Sequence, residues 1–203
     1  MAANPRTFAD VQRTILSAHK ESTVEDKMSF YDSWSDLYEQ DVIFLDYQAP
    51  LLAAECLAAV MPEDRDQALV LDVACGTGLV AVQLQRLGFC NFHGVDGSEG
   101  MLELAQSKSM YQTLQKCTLG SESLPASSGG FVCMTTRTNT SNQLYKKQLQ
   151  AVIEEMEQKG LWERVKVQEV EHWEKATSVH ETKQDSKYIS GIIYIYRKSR
   201  SQD

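Results

Sequence analysis

Two hydrophobic periods run through this chain, and the switch between them marks its elements. Residues 1–26 are mostly polar, with Pro5 where a loosely attached first helix would begin. Across residues 27–60, Phe30, Tyr31, Trp34, Leu37, Tyr38, Val42, Leu45, Leu51, Leu52 and Leu57 recur at helical spacing, and Pro50 separates two helices. Short apolar runs follow. Residues 68–73 and 92–95 read as strands. Each precedes a helical pattern, 79–87 closed by Gly88 and 98–108 with Ser98 as its N-cap. A weaker strand is expected at 113–119 and a fourth at 131–136. A helix over 143–159, closed by Gly160, precedes two strands at 164–171 and 189–197, antiparallel to each other. This βαβαβ then βαββ order predicts an α/β domain over 27–198, with a flexible segment before it and a short tail after it.

The chemistry lies in residues 69–102, LVLDVACGTGLVAVQLQRLGFCNFHGVDGSEGML. The first strand ends in an acid, Asp72, and runs into the loop Ala74, Cys75, Gly76, Thr77, Gly78. The second strand ends in another acid, Asp96, twenty positions after Gly76. A doubly wound sheet holds an adenosine-containing cofactor in this way: glycines let the backbone approach, and the second acid accepts from ribose hydroxyls. Residues 76–81 also fit G-x-G-x-x-A, so a dinucleotide, or a tight turn that binds nothing, remains open on the glycines alone. Asp72 weighs against the dinucleotide. A carboxylate at the loop mouth repels a pyrophosphate but favours the ammonium and sulfonium of S-adenosylmethionine. Met101, a turn beyond Asp96, places a soft thioether where adenine would lie.

Composition narrows the partners. A net charge of −8 over 203 residues, with scattered basic positions, argues against a nucleic-acid binder. No apolar run approaches the ~20 residues of a membrane span, and the N-terminus lacks the apolar core of a secretory signal. Cys56, Cys75, Cys90, Cys117 and Cys133 form no CxxC pair and read as reduced thiols, mostly buried. An intracellular protein, cytoplasmic or nuclear, is expected. The four histidines show no metal-ligand spacing, so no metal is expected.

LDVACGTG with GVDGSEGML resembles the class I S-adenosylmethionine-dependent methyltransferases. YDSWSDLY, residues 31–38, is similar to the entry helix of their small-molecule branch. The resemblance implies a Rossmann-like α/β fold: a mostly parallel sheet with an antiparallel C-terminal hairpin, and N-terminal helices capping the cofactor side. It implies S-adenosylmethionine as cofactor. Asp72 and Gly76, Thr77 and Gly78 would hold the methionine moiety, with Ala74 beside them. Asp96, next to Gly97, would hold the ribose, and Met101 would flank adenine. Tyr31, Trp34 and Tyr38 would close the pocket, although a helix face packed on the core explains such aromatics equally well.

Two departures follow from the same resemblance. Ser121 stands where an acid contacting the adenine amine is expected, with Glu122 beside it as a substitute. Between Pro125 and Phe131 roughly thirty residues, the usual fourth strand and its following helix, are missing. The twelve residues from Leu119 to Gly130 reach at most about 40 Å. The 131–136 strand could therefore slide into the vacant slot beside 68–73. The absent strand would have ended at the loop that lines the transferred methyl group. The sequence thus predicts a methyltransferase with an unknown small-molecule acceptor, monomeric, with neither membrane nor nucleic-acid partner and with reduced activity. Alternatives are a silent variant acting as an interaction protein and, more remotely, a dinucleotide oxidoreductase. No general base stands out: His172 and His180 sit in charged segments. Arg137, just past a strand end, either faces the site or lies on the surface.

Overall fold

In a computed structural model of the chain, residues 6–18, 23–119, 130–178, 181 and 186–199 are described. Three helices come first: α1 (Phe8–Ala18), α2 (Val24–Phe44) and α3 (Ala49–Val60). Thr23 starts α2 with a capping box, its side chain accepting from the Asp26 amide while the Asp26 carboxylate takes the Thr23 amide. Pro50 lies in the first turn of α3 rather than between helices, where its missing N–H has no helical partner to lose. The helix expected to be loosely attached is instead pinned. Val11 and Ile15 of α1 are buried against Trp34 and Leu45. Asp41 of α2, wholly buried, accepts from Arg6 Nε at 2.6 Å and from Trp34 Nε1 at 2.8 Å.

The α/β part divides into two sheets. Strands β1 (Leu69–Val73), β2 (Asn91–Asp96) and β3 (Tyr111–Lys116) pair in parallel in the order β1-β2-β3. Helices α4 (Leu79–Arg86) and α5 (Glu99–Ser107) make the crossovers. Strands β4 (Phe131–Arg137), β5 (Trp162–Lys175) and β6 (Tyr188–Lys198), with α6 (Gln143–Gln158) between β4 and β5, pair antiparallel in the order β4-β6-β5. Strand β6 is central and apolar on both faces, because Ile193 and Ile195 meet α3 while Ile192, Tyr194 and Tyr196 meet Ile153 of α6. Trp173 lies flat over Gly191, where any Cβ would collide with its ring.

This arrangement corrects one expectation. Strand β4 does not slide in beside β1, and among the described residues the two sheets share no strand pairing. It is held by β6 along its whole length, from Phe131 opposite Arg197 to Arg137 opposite Gly191. Moving it to β1 would forfeit that ladder. Among the described residues β1 pairs with β2 alone, and its Leu69 and Val73 are exposed. The halves are joined instead by α3. Its Ala54 and Ala58 pack with Leu84, Phe89 and Phe92 of the parallel half, and its Ala49 and Cys56 with Trp173, Ile193 and Ile195 of the other. Among the described residues no single helix is long and apolar enough to cross a membrane.

The Arg6–Asp41 pair sets up a stability test. Arg6→Met strands a buried carboxylate and should lower the unfolding free energy in urea by about 2–4 kcal/mol. Adding Asp41→Leu should recover most of that loss.

Candidate functional site

The loop between β1 and α4 turns through left-handed backbone at Ala74 (φ 57°), Gly76 (φ 54°) and Gly78 (φ 89°). Gly78 has a second reason to lack a side chain, since a Cβ there would sit 3.1 Å from the Tyr111 ring. Asp96, at the end of β2, holds this loop. Its Oδ2 accepts from the Gly76 amide at 2.8 Å and its Oδ1 from the Ser98 amide at 2.9 Å, while its carbonyl accepts from the Cys117 amide at 2.9 Å. The Cys75 amide donates to the Val95 carbonyl, tying the loop to β2 a second time. Ser98 caps α5, accepting from the Met101 amide as its position predicts.

Helix α2 lies across this cradle. Asp32 accepts from the Ser98 hydroxyl at 2.5 Å and the Gly100 amide at 3.0 Å. The Ser98 bond, helped by Gly100 and against the pull of burial, holds the Asp32 carboxyl below its ordinary pKa. Lys108 donates to Glu39 of α2 and to the Thr77 carbonyl, each at 2.7 Å. Gly97 lies under Met28, with no room for a Cβ. The N-terminal helices therefore cap the cofactor side as expected.

Asp72 has a partner the sequence does not announce. The Tyr111 hydroxyl donates to its Oδ2 at 2.7 Å. Tyr111 starts β3, two strands away, and reaches across β2 at Gly94, where a Cβ would stand 2.6 Å from Leu114 and 2.9 Å from Tyr111. Burial pushes the Asp72 carboxyl from an ordinary 3.8 up to about 6, against the Tyr111 bond and with the help of nearby Asp96. Burial raises the Tyr111 hydroxyl and the Cys75 thiol as well.

Tyr31, Trp34 and Tyr38 line a cavity of about 340 Å³ that includes none of the glycine-loop residues. Thr135, Thr136, Arg137 and Asn142 also line it, with Trp173 and Glu174 from β5. The cavity and the cradle are neighbours through Tyr31. Burial raises its hydroxyl pKa, the Arg137 charge in the cavity lowers it, and the Asp96 charge in the cradle raises it. Arg137 faces the cavity, paired with Glu174 at 3.3 Å.

Comparison with known proteins agrees with this geometry. Residues 70–159 match the family described as "Methyltransferase domain". Over 187 residues the chain is 43% identical to "Methyltransferase-like protein 27" of Homo sapiens, covering 77% of this chain and 76% of that protein. The chain belongs to the class I S-adenosylmethionine-dependent methyltransferases. Solved structures at low identity share the methyltransferase fold. A chain from the complex between the Haloferax volcanii Trm112 methyltransferase activator and a methyltransferase aligns with TM-score 0.60 at 12% identity, over 89% of this chain and 100% of that one. The magnesium protoporphyrin IX methyltransferase of Synechocystis PCC 6803, solved with bound SAH, aligns with TM-score 0.52 at 12% identity, over 92% and 94%.

Asp72, Ala74, Gly76, Thr77, Gly78, Asp96 and Gly97 lie together at the ends of β1 and β2 and in the loop between β1 and α4. Met101 is buried, 2% exposed, so its thioether is enclosed at the first turn of α5. Trp34 is committed to Asp41 and the α1 packing while its ring also borders the cavity. Ser121, Glu122 and His180 lie outside the described residues, and His172 is exposed. Sequence reasoning missed Tyr111, Asp32, Lys108 and Glu174. Only Gly94 hinted at the first, as a glycine inside a strand where something approaches closely.

The Asp72 shift fixes the sign of a pH effect. A carboxyl with a raised folded pKa binds its proton more tightly in the folded state, so its contribution to stability falls as pH rises from about 4 to about 6. Asp72→Asn should therefore stabilise the ligand-free protein at pH 7 by on the order of 1–2 kcal/mol after solvent screening, and change little at pH 4. Gly94→Ala should displace Tyr111 and cost about 1–3 kcal/mol in thermal or urea unfolding.

Proposed function

We propose that this chain binds S-adenosylmethionine in the cradle of Asp72, residues 76–78 and Asp96, and passes its methyl group slowly to a small organic acceptor in the adjoining cavity. The observation that carries this reading is the Asp96 carboxylate. Two backbone amides aim it, and each oxygen keeps a second lone pair for a ribose diol. Asp72 supports it, because its neutral Tyr111 partner leaves a negative charge for a ligand ammonium to meet.

The bound cofactor supplies an electrophilic methyl group. The protein's residues hold it, orient it and keep water away. Transfer needs an acceptor lone pair aligned with the methyl–sulfur axis in a dry site. We infer that a shortened chain lacks a strand beside β1, which among the described residues pairs with β2 alone, and lacks the loop that would wall the methyl group, so alignment is poor and turnover low. A cavity of about 340 Å³ suits a small molecule rather than a macromolecule. We further read residues 135–139 and 190–198 as resembling the methyltransferase-like protein of the Williams–Beuren syndrome chromosomal region. An intracellular monomer is the state we assign.

A ¹⁵N chemical-shift titration tests the reading. S-adenosylmethionine and S-adenosylhomocysteine should each give saturable shifts at Gly76, Gly78 and Asp96 that vanish in Asp96→Ala. Unmoved amides at about 1 mM ligand, a level that detects even weak binding, would overturn it. Shifts with a nicotinamide dinucleotide in their place would overturn it too.

A further inference from the structure

The donor that meets Asp72 is the Tyr111 hydroxyl, at 2.7 Å, and two glycines fix the ring that carries it. One ring edge, Cδ1 and Cε1, lies where a Cβ at Gly94 would be, 3.0 and 2.9 Å away. The other edge, at Cε2, lies 3.1 Å from where a Cβ at Gly78 would be. Phe92 packs edge-on against the same ring, with centroids 6.1 Å apart. Tyr111 thus spans β2, supports the glycine loop at Gly78 and reaches the acid near the end of β1. We infer that Tyr111 is a positioning residue for the cofactor: its hydroxyl holds Asp72 as an aimed carboxylate beside the glycine loop and makes capture of the cofactor ammonium a proton-controlled step. This deepens the reading above and rests on it, because it takes the cradle to be the S-adenosylmethionine site.

A hydrogen bond donated by a neutral hydroxyl favours the charged form of a carboxyl. At Asp72 that bond works against two opposing effects, burial and the charge of Asp96, which together raise the carboxyl to about 6. With the donor removed, the carboxyl would titrate nearer neutrality and would meet the ammonium as an uncharged acid. Tyr111 itself stays protonated, since burial and then the Asp72 charge raise its hydroxyl.

The remaining titratable groups around Asp72 do not take over this role. Cys75 of the loop stays a neutral thiol, raised by burial and then by Asp72 and Asp96. Helices α3 and α4 pack in the same cluster as Tyr111. Their charged residues are Glu55, which is exposed, and Arg86 in the last turn of α4, away from the loop. Asp72 keeps part of its surface exposed, so a ligand and a proton can both reach it.

Two measurements on the full chain test the inference. The first follows the Asp72 side-chain carboxyl by ¹³C NMR against pH without ligand. In Tyr111→Phe, which keeps the ring, it should titrate about one to two pH units higher than in the wild type, the effect of losing one hydrogen bond to a charged group. The second titrates S-adenosylhomocysteine, which carries the same ammonium, by calorimetry from about pH 5 to about pH 8.5. Wild-type affinity should fall by up to about tenfold per pH unit below about pH 6, and in Tyr111→Phe the fall should begin about one to two pH units higher. At pH 7 the variant should bind about two- to tenfold weaker than the wild type, and at pH 8.5 within about twofold. Asp72→Asn should bind weakly without this pH step, and adding Tyr111→Phe to it should change nothing further. Should Tyr111→Phe fail to fold, a wild-type affinity that ignores pH, or a pH step that persists in Asp72→Asn, would overturn the inference. Coincident ¹³C titrations, or a Tyr111→Phe loss of equal size at every pH, would overturn it while leaving cofactor binding intact. No binding of S-adenosylhomocysteine at any pH would sink the methyltransferase reading, and this inference with it.

Discussion

One carboxylate organises the candidate site. Asp96 ends β2, and through its two oxygens and its carbonyl it ties down the glycine loop at Gly76, the start of α5 at Ser98 and the chain after β3 at Cys117. Each of these backbone amides would otherwise be a donor at a strand or helix end with no regular partner. The bonds therefore satisfy the backbone and shape the cradle together. A cradle aimed in this way needs little reordering to receive a ligand, and preorganisation of that kind favours binding.

The cradle survives in a sheet that is not continuous. In an α/β domain the central strands are normally covered on both edges and both faces, and that coverage fixes the loops at their carboxyl ends. Here, among the described residues, β1 is paired on one side only, and α3 carries contact between the halves through small residues, Ala49, Ala54, Cys56 and Ala58. Binding and turnover thus rest on different parts of the structure. The adenosine side depends on β2 and α5, which are intact. Placement of an acceptor depends on how the β4–β6–β5 half, with Arg137 and Glu174, sits against the loop after β1.

The parts of this structure legible in the sequence are those set by neighbours along the chain. The glycine loop, the two acids, the Ser98 cap and the Gly160 helix stop are local patterns, and the structure places them as read. What escaped depends on pairs far apart in sequence. Tyr111 meets Asp72 across 39 positions, and that contact requires both the β1-β2-β3 register and the absence of a side chain at Gly94. Asp41 looks like a surface acid on a helix until α1 folds back and Arg6 covers it. The β4 expectation failed for the same reason. Chain length allowed a move beside β1, but length says nothing of the long ladder with β6 that holds β4 away.

The central claim is that Asp96 makes the cradle a single unit able to hold an adenosine cofactor. Amide hydrogen exchange, with and without saturating S-adenosylhomocysteine, tests it most directly. Gly76, Ser98 and Cys117 belong to three different segments but share one anchor, so their exchange should slow together when the ligand is added. Asp96→Asn should speed Gly76 and Ser98 in the ligand-free protein and change Cys117 little, because the main-chain carbonyl of residue 96 holds that amide. Exchange that is unchanged by the ligand, or that slows at one of the three alone, would contradict the claim.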